Sequence, residues 1–154
     1  MNILIVDDQP NVISSLLQRV PWQGIGISNV YTANSALAAR DVLFSKQVDI
    51  LLADIEMPQE NGLSLVRWIR SKGLEIECIL LTSHANFYYA QIAISLEICD
   101  YVIQPAATED IVRSIEKAKD KVFQKRQVNQ KIHFQGFLSS TQNSMLCHFF
   151  ETLP

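Results

Sequence analysis

This sequence predicts a doubly wound α/β domain with a five-stranded parallel sheet, and three observations carry the prediction. Asn2-Ile3-Leu4-Ile5-Val6, Asp49-Ile50-Leu51-Leu52-Ala53 and Cys78-Ile79-Leu80-Leu81 are short runs rich in Ile, Leu and Val, as expected of strands buried on both faces. Stretches with helical spacing separate them, which is the pattern of βα units. The first two runs lead directly into acidic residues, Asp7 with Asp8 and then Asp54, and the third is closed by Thr82. In such sheets ligands bind beyond the carboxyl ends of the strands. Three carboxylates and a hydroxyl are therefore expected to share one crevice.

After the first strand, Val12, Ile13, Leu16, Leu17 and Val20 repeat at helical spacing until Pro21 stops them. Gly24 and Gly26 mark a turn into a second strand, Ile27 to Tyr31. Asn34 or Ser35 can cap a second helix whose inner face holds Ala36, Ala39 and Leu43. The third strand is Asp49 to Ala53, and a loop runs on from it through Met57-Pro58-Gln59-Glu60-Asn61-Gly62. Leu63, Val66 and Ile69 open a third helix that ends near Gly73, and Ile76 to Leu81 is strand four. Phe87 to Leu96 reads as helix four, and Tyr101-Val102-Ile103 as a short fifth strand stopped by Pro105. Thr108 then starts a last helix, with Ile111, Ile115, Ala118 and Val122 inward. Its periodicity weakens through Val128 and Ile132, and Gly136 is expected to break it. Met145, Leu146, Phe149, Phe150 and Leu153 make a further short apolar face.

This organisation gives a first domain over residues 1–125. Residues 126–154 form a helical extension or linker, expected to begin a C-terminal output region that the chain cuts short. A length of 154 residues with 48% hydrophobic content suits one domain with a substantial core. No apolar run approaches the roughly 18–20 residues that span a bilayer, and no basic-then-apolar leader opens the chain, so a cytoplasmic protein is expected. Cys78, Cys99 and Cys147 are widely spaced and form no Cys-x-x-Cys pair, which argues against a zinc or disulfide framework. His84, His133 and His148 show no ligand spacing.

Charge is divided along the chain. Residues 1–110 hold 13 acidic and 6 basic residues, and residues 111–154 hold 3 and 7. The basic excess lies largely in Lys117, Lys119, Lys121, Lys125, Arg126 and Lys131, the solvated face of a helix. Without an aromatic or helix-turn-helix signature, that run does not by itself indicate nucleic-acid binding. In the acidic part, crowded carboxylates cost energy unless a cation or a reaction needs them. The cluster at Asp7, Asp8 and Asp54 therefore points to a divalent metal beside a carboxylate that can be modified.

These motifs together resemble a response-regulator receiver domain, the phosphoacceptor half of a two-component system. The resemblance covers roughly residues 1–125. Ile3-Leu4-Ile5-Val6-Asp7-Asp8-Gln9-Pro10 matches the acidic pair after strand one, and Asp54-Ile55-Glu56-Met57-Pro58 with Asn61-Gly62 the phosphoacceptor loop. Leu81-Thr82-Ser83 matches the hydroxyl after strand four, and Asp100-Tyr101-Val102-Ile103-Gln104-Pro105 the fifth-strand motif at all but one position. Pro21-Trp22 with Gly24, and Asn86-Phe87-Tyr88-Tyr89-Ala90, further resemble regulators that carry an AraC-type DNA-binding domain.

The resemblance implies a flavodoxin-like (βα)5 fold with strand order 2-1-3-4-5. It implies that Asp54 accepts a phosphoryl group from a sensor histidine kinase. Mg2+ would be held by Asp8, Asp54 and the backbone carbonyl of Glu56, with Asp7 acting mainly through a bound water. Thr82 would hydrogen-bond a phosphoryl oxygen, and its displacement would let Tyr101 turn inward as the switch. A homodimer is the expected assembly, DNA would be met only through a C-terminal domain absent from this chain, and no membrane is involved.

One position departs from the family pattern. Receiver domains place a lysine before the fifth-strand proline, and here that residue is Gln104. A glutamine amide offers a dipole where lysine offers a full charge. Two versions of the function are then open: a phosphoacceptor with altered switching, or a degenerate receiver that acts as a phosphorylation-independent dimerisation module. The chain is not expected to be an enzyme. An enzymatic rival would be a magnesium-dependent phosphatase using Asp54, but haloacid-dehalogenase phosphatases place their Asp-x-Asp motif after the first strand, and Asp54-Ile55-Glu56 comes after the third.

Overall fold

A computed structural model describes the backbone of residues 1–151 and the side chains of residues 1–140. The elements alternate: β1 (Asn2–Val6), α1 (Pro10–Arg19), β2 (Asn29–Ala33), α2 (Ala36–Ser45), β3 (Ile50–Asp54), α3 (Gly62–Ser71), β4 (Glu77–Thr82), α4 (Phe87–Ser95), β5 (Asp100–Ile103) and α5 (Thr108–Glu151). The strands form one sheet in the order β2-β1-β3-β4-β5, and every pairing is parallel. This is the flavodoxin-like arrangement that the sequence predicts.

Two cores, one on each face of the sheet, explain why the strand sequences are apolar throughout. Leu4, Val6, Leu51, Ala53, Cys78 and Leu80 face one way, against Ala36, Ala39 and Leu43 of α2, Leu63, Val66 and Ile69 of α3, and Ala93 of α4. Ile3, Ile5, Ile50, Leu52, Ile79 and Leu81 face the other way, against Leu16 of α1 and Ile111, Ile115, Ala118 and Val122 of α5. The alternation has the strand period of two, but both phases are buried.

The bounds of β3, β4 and β5 shift by one residue from the sequence reading, the second strand and the last helix differ more, and one of the two α2 cap candidates is selected. The second strand runs Asn29–Ala33 rather than Ile27 to Tyr31, because Ile27 is spent on the turn. Its amide donates to Trp22 O at 2.9 Å, its side chain is buried, and pairing with β1 begins at Asn2↔Asn29. Of the two candidate caps for α2, Ser35 takes the role, its Oγ accepting from the Ala38 amide at 3.0 Å. Finally, Gly136 does not break the last helix, which continues through it to Glu151. A helical glycine costs only about 1 kcal/mol relative to alanine, too little to end a long helix. The stop near Gly73 is observed, since α3 ends at Ser71 and Gly73 has a φ of 67°.

The chain divides into two compact units between Val122 and Phe123. The first contains the sheet and both cores. The second is the later part of α5, where Phe123, Val128, Ile132, Phe134, Phe137 and Leu138 are exposed. The apolar face expected from Met145 to Leu153, with Cys147 and His148, lies outside the described side chains. Among the described residues, no helix is long and apolar enough to cross a membrane, and Cys78 and Cys99 are buried.

Candidate functional site

Parallel pairing puts the ends of β1, β3 and β4 side by side, because Val6 pairs with Ala53 and Asp54 with Leu81. The residues at or just beyond those strand ends are Asp7, Asp8, Asp54 and Thr82. One carboxylate oxygen from each of Asp7, Asp8 and Asp54 lies within 4.8 Å of the others. Asp7 and Thr82 are buried. The three predicted carboxylates therefore lie together, and Thr82 ends the strand beside Asp54.

Each side chain has a local reason for its place. Asp7 Oδ1 accepts the Gln9 amide at 2.9 Å just before α1, whose N-cap, Gln9, gives no side-chain bond of its own. This is an Asx-turn, in which an aspartate side chain accepts from the backbone two residues on. Asp8 does not share it. Its Oδ1 is buried with no hydrogen-bond partner among the described residues. After Asp54 the chain turns back tightly: the Met57 and Gly62 amides both donate to Ile55 O at 3.0 Å. A Cβ on Gly62 would lie 2.2 Å from Asp54 O. Asn61 then caps α3, its Oδ1 accepting the Ser64 amide at 2.9 Å.

The electrostatics are those of a site short of positive charge. Burial, the neighbouring Asp7 and a hydrogen bond with Glu56 push the Asp54 carboxyl up from 3.8 to about 7. Burial also raises Asp7, aided by Asp8 and Glu56 and partly offset by the Gln9 amide. Glu56 moves the other way. Burial opposes its ionisation, but hydrogen bonds led by that from Thr82 hold its pKa below the ordinary value.

An unpartnered buried carboxylate oxygen beside two more carboxylates is the donor set of a hard divalent cation, so the residues present fit a magnesium ion. The Glu56 carbonyl accepts no backbone hydrogen bond among the described residues, which leaves it available as a further oxygen. The raised carboxyl makes this testable through pH. Below about 3.8 Asp54 is protonated both folded and unfolded; as pH rises toward about 7 the unfolded chain releases that proton first, so the metal-free fold loses stability. A cation that binds the ionised cluster reverses the loss. The melting temperature in magnesium should therefore exceed that in chelator by a margin that widens from about pH 5 to about pH 8. A margin independent of pH would contradict this.

Thr82 Oγ1 donates to Glu56 Oε1 at 2.5 Å and accepts the His84 amide at 3.1 Å. The Tyr101 ring packs against the core cluster containing Ala93, and its hydroxyl is buried without a hydrogen-bond partner among the described residues. Tyr101 is thus already turned inward. The Gln104 amide N donates to Thr82 O at 2.7 Å, and the Gln104–Pro105 peptide is cis. Gln104 also lines a groove of about 240 Å3 with Val12, Ser15 and Arg19 of α1 and with Ala106.

Two participants are not evident from the sequence. Only the backbone carbonyl of Glu56 is expected to matter, whereas its carboxylate accepts the Thr82 hydroxyl. His84 reads as simply exposed. The imidazole is 76% exposed, yet its Nδ1 lies 3.6 Å from Glu56 Oε1. A signal for both exists in the strand pairing, because with Asp54 opposite Leu81 the chain beyond each strand, Glu56 and Ser83-His84, runs on side by side. Glu60, read as a loop charge, pairs with Arg40, whose guanidinium lies 5.0 Å over the Trp68 ring.

Comparison with known proteins gives a consistent result. The response regulator receiver domain family profile matches residues 3–116. An uncharacterized response regulatory protein of Staphylococcus epidermidis is 32% identical over 103 residues, which is 67% of this chain and 40% of that protein. The transcriptional regulatory protein HptR of Staphylococcus aureus is 29% identical over the same shares of the two chains. This chain thus matches well under half the length of these relatives. Among solved structures, the receiver (REC) domain of AraT, a response regulator from Geobacillus stearothermophilus, superposes with a TM-score of 0.72. It is 28% identical, and the match covers 81% of this chain and 97% of that one.

Proposed function

This chain belongs to the response regulator receiver domain family, and from that premise we propose that it is a phosphoacceptor, with Asp54 as the acceptor. The observation that carries the reading is the shared crevice of Asp7, Asp8 and Asp54, closed by Thr82. Asp8, Asp54 and the Glu56 carbonyl would hold a magnesium ion, with Asp7 reaching it through water. When bound, that ion neutralises the charge on the transferring phosphoryl oxygens.

The chain's own residues do the rest. An Asp54 oxygen attacks phosphorus as the P–N bond of a kinase phosphohistidine breaks, and the imidazole keeps the bonding pair. Attack needs Asp54 ionised, so the site must first bring its carboxyl down from about 7. Thr82 then donates its hydroxyl to a phosphoryl oxygen, and Tyr101 reads that contact as the switch. Gln104 supplies no cation, so the coupling between phosphoryl group and switch is weaker than a lysine would give.

The partner class is a sensor histidine kinase, and the likeness to a transcriptional regulatory protein supports an output through DNA. That output would come from a C-terminal domain beyond the extension over residues 126–154, of the AraC type that the Pro21-Trp22 and Asn86 to Ala90 segments resemble. The setting would be cytoplasmic and the assembly a homodimer. Gln104 favours one second reading, an interaction module that dimerises without phosphorylation.

Stoichiometry separates an acceptor from an enzyme. Incubated with magnesium and phosphoramidate, the chain should gain one phosphoryl group, and it should not turn over a phosphoester continuously. Sustained turnover would instead support a phosphatase.

A further inference from the structure

The Glu56 carboxylate occupies a place that the phosphoryl chemistry needs. It accepts the Thr82 hydroxyl at 2.5 Å, the same hydroxyl that the acceptor reading assigns to a phosphoryl oxygen. A hydroxyl has one proton to give, so Thr82 cannot serve both anions. Meanwhile Tyr101 is inward, with its hydroxyl buried. Thr82 engaged by an anion and Tyr101 inward are together the arrangement expected once a phosphoryl group has bound, and here an internal carboxylate stands with it.

We propose, resting on the phosphoacceptor reading, that Glu56 is a built-in surrogate for a phosphoryl oxygen: it holds Thr82 and must be displaced before transfer to Asp54. Two features make the surrogate effective. Gln104 brings no charge that could draw Glu56 aside. The exposed His84 imidazole, 3.6 Å from Glu56 Oε1, gives the displaced carboxylate a partner at the rim. A phosphoryl group carries about two negative charges, so its arrival beside an undisplaced Glu56 is opposed by like charge as well as by the occupied hydroxyl. Glu56 is a positioning residue on this account, since it acts through Thr82 and takes no part in bond formation.

The test compares phosphorylation by phosphoramidate in saturating magnesium for the unaltered chain, Glu56→Gln and Glu56→Ala, by intact mass against time. In this transfer an Asp54 oxygen forms the new bond to phosphorus, and the already protonated nitrogen leaves with its bonding pair as ammonia. Both variants should take up the phosphoryl group about tenfold faster, the factor that one charge-assisted hydrogen bond commands. In the unphosphorylated Glu56→Ala chain, NMR shifts of the Tyr101 ring should move toward those of an exposed tyrosine. Those shifts and a melting curve separate displacement of a surrogate from a general loosening of the fold. Equal or slower uptake by both variants, with folding intact, would overturn the proposal while leaving the acceptor reading in place. Absence of uptake by all three proteins would remove the acceptor reading and this inference with it.

Discussion

Gly62→Ala is expected to lower stability by about 3 kcal/mol, the upper end of what overpacking usually costs. The added Cβ would lie 2.2 Å from Asp54 O, 3.0 Å from Asp54 C and 3.2 Å from Ile55 Cα. All three atoms are backbone, so no flexible side chain can move aside. The clash also falls on the residue that carries the proposed chemistry. Relief requires α3 to back away from the end of β3, which would break the Gly62 N–H bond to Ile55 O and shift Asp54. For a domain of this size the melting temperature should fall by roughly 6–12 °C, and phosphoryl uptake should fall with it. A melting temperature within a degree of the unaltered chain would show that the loop relaxes without cost.

Gln104→Lys should have the largest effect on signalling. Among the described residues, the basic side chain that meets the cluster of Asp7, Asp8, Asp54 and Glu56 is His84, and it is largely exposed. A lysine at position 104 would add a full charge next to Thr82, whose carbonyl the residue-104 amide already contacts. A hydrogen bond to a charged group contributes roughly 1.5–3 kcal/mol. The change should therefore strengthen the phosphorylation-dependent response by about one to two orders of magnitude. The half-maximal donor concentration for phosphorylation-dependent dimerisation, read by light scattering, measures it. Identical curves for the variant and the unaltered chain would show that the missing lysine is not what weakens the switch.

The fold is legible in the sequence because its signal is redundant. Ile3 to Val6, Ile50 to Ala53 and Cys78 to Leu81 are apolar at both phases of the strand period, a pattern that only a sheet covered on both sides requires. The edge strand β2 carries less of that signal. Among its five residues only Ala33 is buried, so residue types place its start two positions early, at Ile27 instead of Asn29. The long last helix runs through Gly136 against expectation because a glycine lowers helix stability without forbidding the helix.

The site is legible in part for the same reason. Strand ends fix where Asp7, Asp54 and Thr82 go, and the pairing register brings them together. The loops beyond those ends carry a weaker signal. Nothing in the spacing of Asp54-Ile55-Glu56 says whether Glu56 turns toward Thr82 or away from it. The closeness of Gly62 to Asp54 depends on the return path of the loop through Met57 and Pro58, which residue identities alone do not fix.

The most direct test of Asp54 as acceptor is chemical localisation. After incubation with magnesium and phosphoramidate, borohydride reduction converts an acyl phosphate on aspartate to homoserine, which peptide mass spectrometry can assign to one position. The account predicts homoserine at position 54 and none at Asp7 or Asp8, with no product in Asp54→Asn. Reduction at another carboxylate, or an unchanged yield in Asp54→Asn, would contradict it.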